Sequence, residues 1–148
     1  MSENGEDRVS RMYVKSDPAS CGGCRRCQLA CSLFHFGECN LELAGIKVTK
    51  NVFSGEYQVK TCRQCKEPKC LPACPVQAIY LDDRTGALVI DEKNCTGCRI
   101  CEEECPFDMI GYNPEMKINF KCDLCGGDPQ CVNICSYTAV RLIERQGD

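Results

Sequence analysis

The chain has 148 residues, a length typical of a single domain, and 17 of them are cysteines. A formal net charge of −3 without a dominant basic block argues against nucleic acid as a partner. The sequence has no Trp, five Phe and five Tyr, too few aromatic side chains for a large core. Bound cofactors are therefore expected to help stabilise the fold.

No signal for export or membrane insertion is expected at the start of the sequence. Residues 1–11 are polar and acidic, without the apolar stretch or cleavage-like site of a signal peptide. The arginine pair at 25–26 lies inside a cysteine motif and does not indicate a twin-arginine signal, and no apolar run has membrane-spanning length. A cytoplasmic location is predicted, although export with a partner that carries the signal stays open. Cytoplasmic thiols remain reduced, which favours metal binding over disulfides.

Sixteen of the cysteines fall into four motifs of four. Motif one is Cys21-x2-Cys24-x2-Cys27-x3-Cys31, motif two is Cys62-x2-Cys65-x4-Cys70-x3-Cys74, motif three is Cys95-x2-Cys98-x2-Cys101-x3-Cys105, and motif four is Cys122-x2-Cys125-x5-Cys131-x3-Cys135. Motif three, which is followed by Pro106, reproduces the bacterial ferredoxin pattern, and motif one reproduces its spacing.

The spacing of the motifs fits cubane [4Fe–4S] clusters better than zinc. Two x2 steps carry three thiolates round one side of a cubane, while the fourth, three residues further on, points along a helical turn and is free to reach a neighbouring cluster. Zinc usually takes two C-x2-C pairs separated by a longer spacer. Four [4Fe–4S] clusters are therefore predicted, rather than zinc, disulfides or free buried thiols.

Short helical and extended segments are predicted around the motifs in chain order. Motif one is followed by a longer link at residues 32–40. A short helical turn, and then an apolar-alternating strand, should follow the last cysteine of each of the other three motifs. Turn signals predict three hairpins. They pair 46–49 with 57–59, the strand after motif two with 87–90, and 110–112 with 118–120.

These elements predict a small α+β protein of tandem ferredoxin-like modules, with short helices and β-hairpins, stabilised by its clusters. Residues 21–148 are assigned to one domain that follows the segment at 1–20. The short repeats leave no segment to enclose a substrate pocket, and no glycine-rich loop opens a helix after a strand. No catalytic residue is assigned, and the chain is not expected to be an enzyme in its own right.

Four stretches of the sequence carry a resemblance to a known family: CGGCRRCQLACS at 21–32, CRQC at 62–65, CTGCRIC at 95–101 and CDLC at 122–125. They resemble the four-cluster ferredoxin-type electron-transfer subunits of molybdenum and tungsten oxidoreductases and related hydrogenase complexes. The likeness covers nearly the whole chain, from about residue 21 to 144. The compact size and the segment AGIKV at 44–48 are most similar to the small iron–sulfur subunits that accompany tungsten enzymes of the aldehyde oxidoreductase family, which includes class II benzoyl-CoA reductases.

The resemblance implies that motifs at 21–31 and 122–135 form one cluster pair and motifs at 62–74 and 95–105 form the other. The last cysteine of each motif is then exchanged within its pair. The implied ligand sets are Cys21, Cys24, Cys27 with Cys135; Cys122, Cys125, Cys131 with Cys31; Cys62, Cys65, Cys70 with Cys105; and Cys95, Cys98, Cys101 with Cys74. Ser32 and Ser136 stand where the family usually has proline, which changes backbone stiffness but not the number of ligands.

The resemblance implies a relay of single electrons through the four clusters. One end would serve a larger catalytic subunit that contains molybdenum or tungsten, and the other a ferredoxin, a flavoprotein or a further subunit. A free-standing polyferredoxin is the alternative, and an iron–sulfur maturation or sensing protein is disfavoured by four complete sets. The basic residues at 60–69 and the acidic residues at 102–104 are candidate docking surfaces.

Two further residues could bind metal but are interpreted otherwise. Cys39, the cysteine outside the motifs, is predicted to be a buried small hydrophobe rather than a substitute ligand for Cys31. His35 is the single histidine and lies between Phe34 and Phe36, so it is predicted to pack rather than to ligate iron.

Overall fold

A computed structural model describes residues 12–144 of the chain, so the expectations for residues 1–11 and for 145–148 lie outside the described part. The described part contains four α-helices and eight short strands. In chain order they are β1 Met12–Ser16, α1 Arg26–Phe36, β2 Lys47–Lys50, β3 Tyr57–Lys60, α2 Cys70–Ala73, β4 Ile79–Leu81, β5 Leu88–Ile90, α3 Ile100–Glu104, β6 Gly111–Asn113, β7 Ile118–Phe120, α4 Gln130–Ile134 and β8 Val140–Glu144. The predicted α+β class, with short helices and hairpins, is confirmed.

Three of the sheets are the hairpins that the turn signals predict. Strands β2 and β3, β4 and β5, and β6 and β7 each form a two-stranded antiparallel sheet. The β4–β5 turn closes with a hydrogen bond from the amide of Gly86 to the carbonyl of Asp82, 2.8 Å long. Gly86 has a φ of 74°, a left-handed conformation that glycine adopts without steric cost.

The fourth sheet joins the two ends of the described chain. Strand β1 pairs with β8 in antiparallel register, with Val14 opposite Leu142. The hydroxyl of Thr61 donates to the carbonyl of Val14, and the hydroxyl of Ser16 donates to the carbonyl of Val59, at 2.6 and 2.8 Å. Because Val14 is only 1% exposed, this strand belongs to the core. Part of the segment assigned to 1–20 is thus built into the fold, which the sequence did not predict.

The helices differ from the prediction in position. Helices α2, α3 and α4 begin at, or one residue before, the third cysteine of their motifs and end one residue before the fourth, and the residues after the fourth form a non-helical turn. Motif one behaves differently. Helix α1 runs for 11 residues through Cys31 and ends at Gly37, whose φ is 75° and whose amide bonds the carbonyl of Leu33 at 3.0 Å. The predicted link after motif one is therefore mostly helical.

Two hydrophobic clusters hold the elements together, and cysteines form part of both. The first cluster gathers residues from both ends of the chain and the second lies beneath the β4–β5 and β6–β7 hairpins. The first consists of Val14, Ala44, Ile46, Val48, Val59, Ala87, Leu124, Cys131 and Val140, and the second of Cys70, Ile79, Cys101 and Ile110. The second is very small, so its stability depends on whatever the cysteines bind.

No helix within residues 12–144 has the length and apolar character needed to cross a bilayer.

Candidate metal centres

All seventeen cysteines lie within the described residues, and none of them forms a disulfide bond. The second cysteines of the four motifs differ in exposure. Cys24 and Cys98 are exposed, whereas Cys65 and Cys125 are only partly accessible. The loops of motifs one and three therefore open to solvent more than those of motifs two and four.

Two cavities bring cysteines of motifs one and four together. One cavity is lined by a group that we name set one: Cys21, Cys24, Cys27 and Cys135. The other is lined by a group that we name set four: Cys122, Cys125, Cys131 and Cys31. In each cavity, the first three cysteines of one motif face the last cysteine of the other.

In motifs two and three, the third cysteine of each motif interacts electrostatically with the last cysteine of the other motif. Burial raises the pKa of the Cys70 thiol, and repulsion from Cys62, Cys105 and Cys65 adds to the rise. Burial raises the pKa of Cys101 to about 12, and repulsion from its cysteine neighbours, which include Cys74, contributes. We name the first group set two: Cys62, Cys65, Cys70 and Cys105. We name the second group set three: Cys95, Cys98, Cys101 and Cys74.

Electrostatic interactions between cysteines of different sets indicate which sets are neighbours. Burial is the main cause that raises the pKa of Cys131 in set four, and charge repulsion from Cys27 of set one adds to the rise. Charge repulsion from Cys62 of set two contributes to the raised pKa of Cys122 in set four. Repulsion from Cys70 of set two contributes in the same way to the raised pKa of Cys101 in set three. Charge interactions weaken with distance, so these are the neighbouring sets. The order is one, four, two, three.

Backbone amides donate to the sulfur of the last cysteine of every motif. In motifs two, three and four the donor is the residue four positions later: Ala78 to Cys74 at 3.2 Å, Met109 to Cys105 at 3.4 Å and Ala139 to Cys135 at 3.3 Å. The residue before each donor has a positive φ, between 53° and 55°, which turns the amide back to the sulfur. Such hydrogen bonds favour a thiolate and help to tune a bound cluster.

Gly45 supplies the corresponding bond in motif one, where α1 continues past the cysteine. Its amide lies 3.2 Å from the sulfur of Cys31. A Cβ at Gly45 would lie 3.3 Å from the amide nitrogen of Cys122, so glycine allows the backbone to pass close to motif four. The sequence analysis noted this segment only as part of a resemblance and did not assign Gly45 a role at the site.

Substitution of Gly97, in the loop of motif three, tests how closely the backbone packs around the cysteines of that motif. Its φ is 72°, and a Cβ there would lie 2.3 Å from the carbonyl oxygen of Lys117, whereas Gly37 has a φ of 75° and open space around it. We expect Gly37→Ala to lower the free energy of unfolding by about 1–2 kcal/mol, the cost of a left-handed L-residue. Gly97→Ala should cost about 1–3 kcal/mol more because of the overlap.

The measurement is anaerobic guanidinium denaturation of both loaded variants, followed through the visible absorbance of the cofactor. Equal denaturation midpoints for Gly97→Ala and Gly37→Ala would show that the Lys117 carbonyl moves aside without a measurable loss of stability.

His35 connects α1 to motif four through polar contacts. Its Nε2 lies 2.8 Å from a carboxylate oxygen of Asp123, and its Nδ1 lies 2.8 Å from the carbonyl oxygen of Cys31. Burial disfavours the charged ring, but the hydrogen bonds, that to Asp123 foremost, raise the pKa of His35 above its ordinary value. His35 does pack against Phe34, as predicted, yet its main contacts are polar.

The same contacts bring a mixed group of possible metal ligands together. Donor atoms of His35, Asp123 and Cys125 all lie within 4.8 Å of one another. Asp123 also accepts a hydrogen bond from the Cys125 amide at 2.8 Å, which shapes the motif-four loop. Because Cys125 faces the cavity of set four, the three residues belong to the surroundings of that set.

The prediction that Cys39 is buried is wrong. Cys39 is exposed and lies in the loop after α1, outside both cavities that hold the cysteines of motifs one and four. Cys31 lies within α1, which places it beside motif four, whereas Cys39 lies beyond the end of that helix.

The acidic stretch at 102–104 is only partly available for docking. Glu102 forms a bidentate ion pair with Arg99, at 3.0 and 2.9 Å, and also accepts from Asn119. The bond to Arg99 lowers the pKa of the Glu102 carboxyl. Glu103 and Glu104 are exposed.

The sixteen motif thiols suit iron–sulfur clusters. Four sulfurs facing one space is the donor set of a [4Fe–4S] cluster, which takes one thiolate at each iron. Burial raises the pKa of Cys27 to about 11 and that of Cys122 to about 12, so these thiols are neutral near pH 7 without a bound metal. Binding iron must displace their protons.

Comparison with known proteins identifies the family. Residues 53–145 match the 4Fe–4S dicluster domain. This match covers more than half of the chain, which therefore belongs to the 4Fe–4S dicluster domain family. The prediction of an iron–sulfur, ferredoxin-like protein is confirmed.

Similar proteins have names that refer to oxidoreductases. The "aliphatic sulfonate oxidoreductase, polyferredoxin-like subunit" of Pyrococcus furiosus is 38% identical over 146 residues, which is 97% of this chain and 82% of that protein. The "thiosulfate reductase electron transfer subunit PhsB" of Salmonella typhi is 28% identical and aligns with 92% of this chain and 78% of its own length.

A solved structure has the same fold. A chain of the active site complex BamBC of benzoyl coenzyme A reductase, in complex with benzoyl-CoA, superimposes with a TM-score of 0.54 at 25% identity. The match covers 90% of this chain and 80% of that chain.

Proposed function

We propose that this chain is the electron-transfer subunit of an oxidoreductase complex, in which sets one to four each hold one [4Fe–4S] cluster. The observation that carries the proposal is that the first three cysteines of one motif line a cavity together with the last cysteine of another, once at set one and once at set four. The bound clusters would supply one-electron redox chemistry, and the chain would hold, space and shield them.

The linear order of the sets supports a relay with two ends. Sets one and three lie at the ends and are the sets whose second cysteine, Cys24 or Cys98, is exposed. Sets four and two lie between them, next to the buried residues Leu124 and Gln64. This arrangement suits entry of electrons at one end and exit at the other, with the middle sets protected from solvent.

The partners follow from the relatives and from the sequence resemblance. Two relatives are named as subunits of oxidoreductases, and the matching solved chain comes from an active site complex. A larger catalytic subunit that contains tungsten or molybdenum is the proposed partner at one end. A ferredoxin, a flavoprotein or a further subunit would exchange electrons at the other, and the chemistry on the substrate would belong to the catalytic subunit.

The proposed cluster domain spans 21–148 and is completed by β1, which covers its core from the N-terminal side. Motifs one and four pair within it, as do motifs two and three. Work in the cytoplasm is part of the proposal, because the reducing environment keeps the sixteen ligand thiols free of disulfides.

Anaerobic purification from the native host tests the proposal. We expect about sixteen iron atoms and sixteen acid-labile sulfides per chain with negligible zinc, because each complete set takes one cubane. A large subunit should copurify in a fixed ratio. Stoichiometric zinc, or clearly fewer than four clusters, would refute the cofactor assignment. A fully loaded chain that purifies alone would favour the free-standing polyferredoxin.

A further inference from the structure

Lys121 is a buried lysine between two of the cysteine sets. It is 8% exposed and directly precedes Cys122 of set four. Its ammonium group donates to the carbonyl of Cys122 at 3.2 Å and to the carbonyl of Leu88 in β5. Buried lysines are rare unless something compensates their charge, so its electrostatic surroundings matter.

Gln64 also forms hydrogen bonds with the backbone of Cys122 and of Leu88. It lies between Cys62 and Cys65 in motif two and is 1% exposed. Its side-chain amide donates to the carbonyl of Cys122 at 3.0 Å, and its side-chain oxygen accepts from the amide of Leu88 at 2.8 Å. Gln64 and Lys121 thus form one closed polar network that joins motif two to motif four.

Ionisable groups that interact with Lys121 belong to the cysteine sets. Among residues 12–144, no carboxylate lies within salt-bridge distance of its ammonium group. Burial raises the pKa of both Cys70 in set two and Cys122 in set four, and in both cases the charge of Lys121 opposes the rise. Because the ammonium group and the side chain of Gln64, which lies in motif two, bond the same carbonyl of Cys122, the ammonium group lies beside both set four and set two.

We propose that the buried charge of Lys121 raises the reduction potentials of the two clusters held by sets two and four, and so controls electron passage between the two halves of the chain. This inference rests on the proposed function. Reduction adds one negative charge to a cluster, and a fixed cation nearby stabilises that state. Gln64 acts as a positioning residue, because it bonds the Cys122 carbonyl and the amide of Leu88, the two residues whose carbonyls accept from the ammonium group.

The experiment compares three variants of the complete, cluster-loaded chain. Lys121→Gln keeps hydrogen-bond donors but removes the charge, Lys121→Arg keeps the charge, and Lys15→Gln removes a charge from an exposed position on β1. Anaerobic redox titration followed by electron paramagnetic resonance gives the potential of each cluster.

We expect Lys121→Gln to lower two of the four potentials. The change expected is at least tenfold in the reduction equilibrium, which is about 59 mV for a one-electron couple. The other two potentials should stay unchanged, and Lys121→Arg and Lys15→Gln should match the parent chain. Unchanged potentials in a fully loaded Lys121→Gln protein would overturn the inference.

Iron and sulfide analysis separates this inference from the proposed function. A parent chain without four clusters would refute the proposed function itself, whereas a fully loaded parent with unshifted Lys121→Gln refutes only the role of Lys121. If Lys121→Gln fails to load, Gln64→Glu takes its place, since a carboxylate beside the ammonium group should lower the same two potentials. Failure of both variants to load would overturn the inference in favour of a structural role.

Discussion

Replacing Cys31 with serine is expected to remove the cluster of set four, although the other three cysteines of that set lie about ninety residues further along the chain. Helix α1 carries Cys31 to the cavity lined by Cys122, Cys125 and Cys131. The Gly45 amide, 3.2 Å from the Cys31 sulfur, is placed to bond that thiolate. A serine oxygen is a poor substitute for sulfur in an all-thiolate cluster. The variant should therefore lose about four iron atoms per chain.

The position of the damage is the decisive measurement. Hydrogen exchange on the loaded variant should show lost protection at residues 122–131, while residues 21–27 stay protected. Cys39→Ser is the matched control, because this cysteine lies eight residues later, is exposed and belongs to no set. It should keep the full iron content. Damage confined to residues 21–27 would mean that each motif binds its own cluster with all four of its cysteines, and the exchanged sets would be wrong.

Local signals predicted the hairpins well because each of them is set by its own turn. The strands pair across loops of four or six residues that contain or directly follow Asn, Asp or Gly, so the neighbouring sequence is sufficient. The β1–β8 pairing joins residues at opposite ends of the chain, with Met12 opposite Glu144. No local pattern specifies such a partner, and residues 1–20 were assigned to a segment that precedes the domain.

Helix α1 was missed for a different reason. The turn after the last cysteine in the other motifs suggested a repeat with short helical pieces, and residues 32–40 looked like an insertion in it. The segment instead extends the helix that starts inside motif one, and its end at Gly37 is a common helix C-terminal signal. The repeat in the cysteines was therefore a poor guide to the backbone between them.

Spacing was enough to propose the cysteines as cluster ligands, but it could not indicate the polar residues around them. Cysteine patterns reflect the fixed geometry of a cubane, which any sequence must satisfy. Gln64 and Lys121 look like ordinary surface residues in the sequence. They are buried because motif two and motif four meet there, and that meeting depends on the whole fold. The position of Lys121 directly before Cys122 was the one available signal.

Removing the clusters is expected to unfold most of the chain. The four sheets have only two strands each, and three of the four helices have five residues or fewer. Isolated two-stranded sheets and helices of that length are marginal in water. Cysteines make up half of the second hydrophobic cluster, Cys70 and Cys101 beside Ile79 and Ile110. Without bound metal, little apolar contact holds the β4–β5 and β6–β7 hairpins together.

The loss of structure is expected to begin in the part of the chain around the second hydrophobic cluster and to reach the first cluster later. The first hydrophobic cluster contains eight buried residues other than cysteine, and β1, β3 and β8 are linked there by strand pairing and by the Ser16 and Thr61 hydroxyls. After anaerobic chelation, hydrogen exchange should therefore become fast at residues 79–120 before it does in β1 and β8. Circular dichroism should lose most of its helical signal, and rebuilding the clusters with iron and sulfide should restore it, because metal binding and folding are coupled. A metal-free chain with the spectrum and the exchange protection of the loaded protein would show that the two hydrophobic clusters suffice to hold the fold.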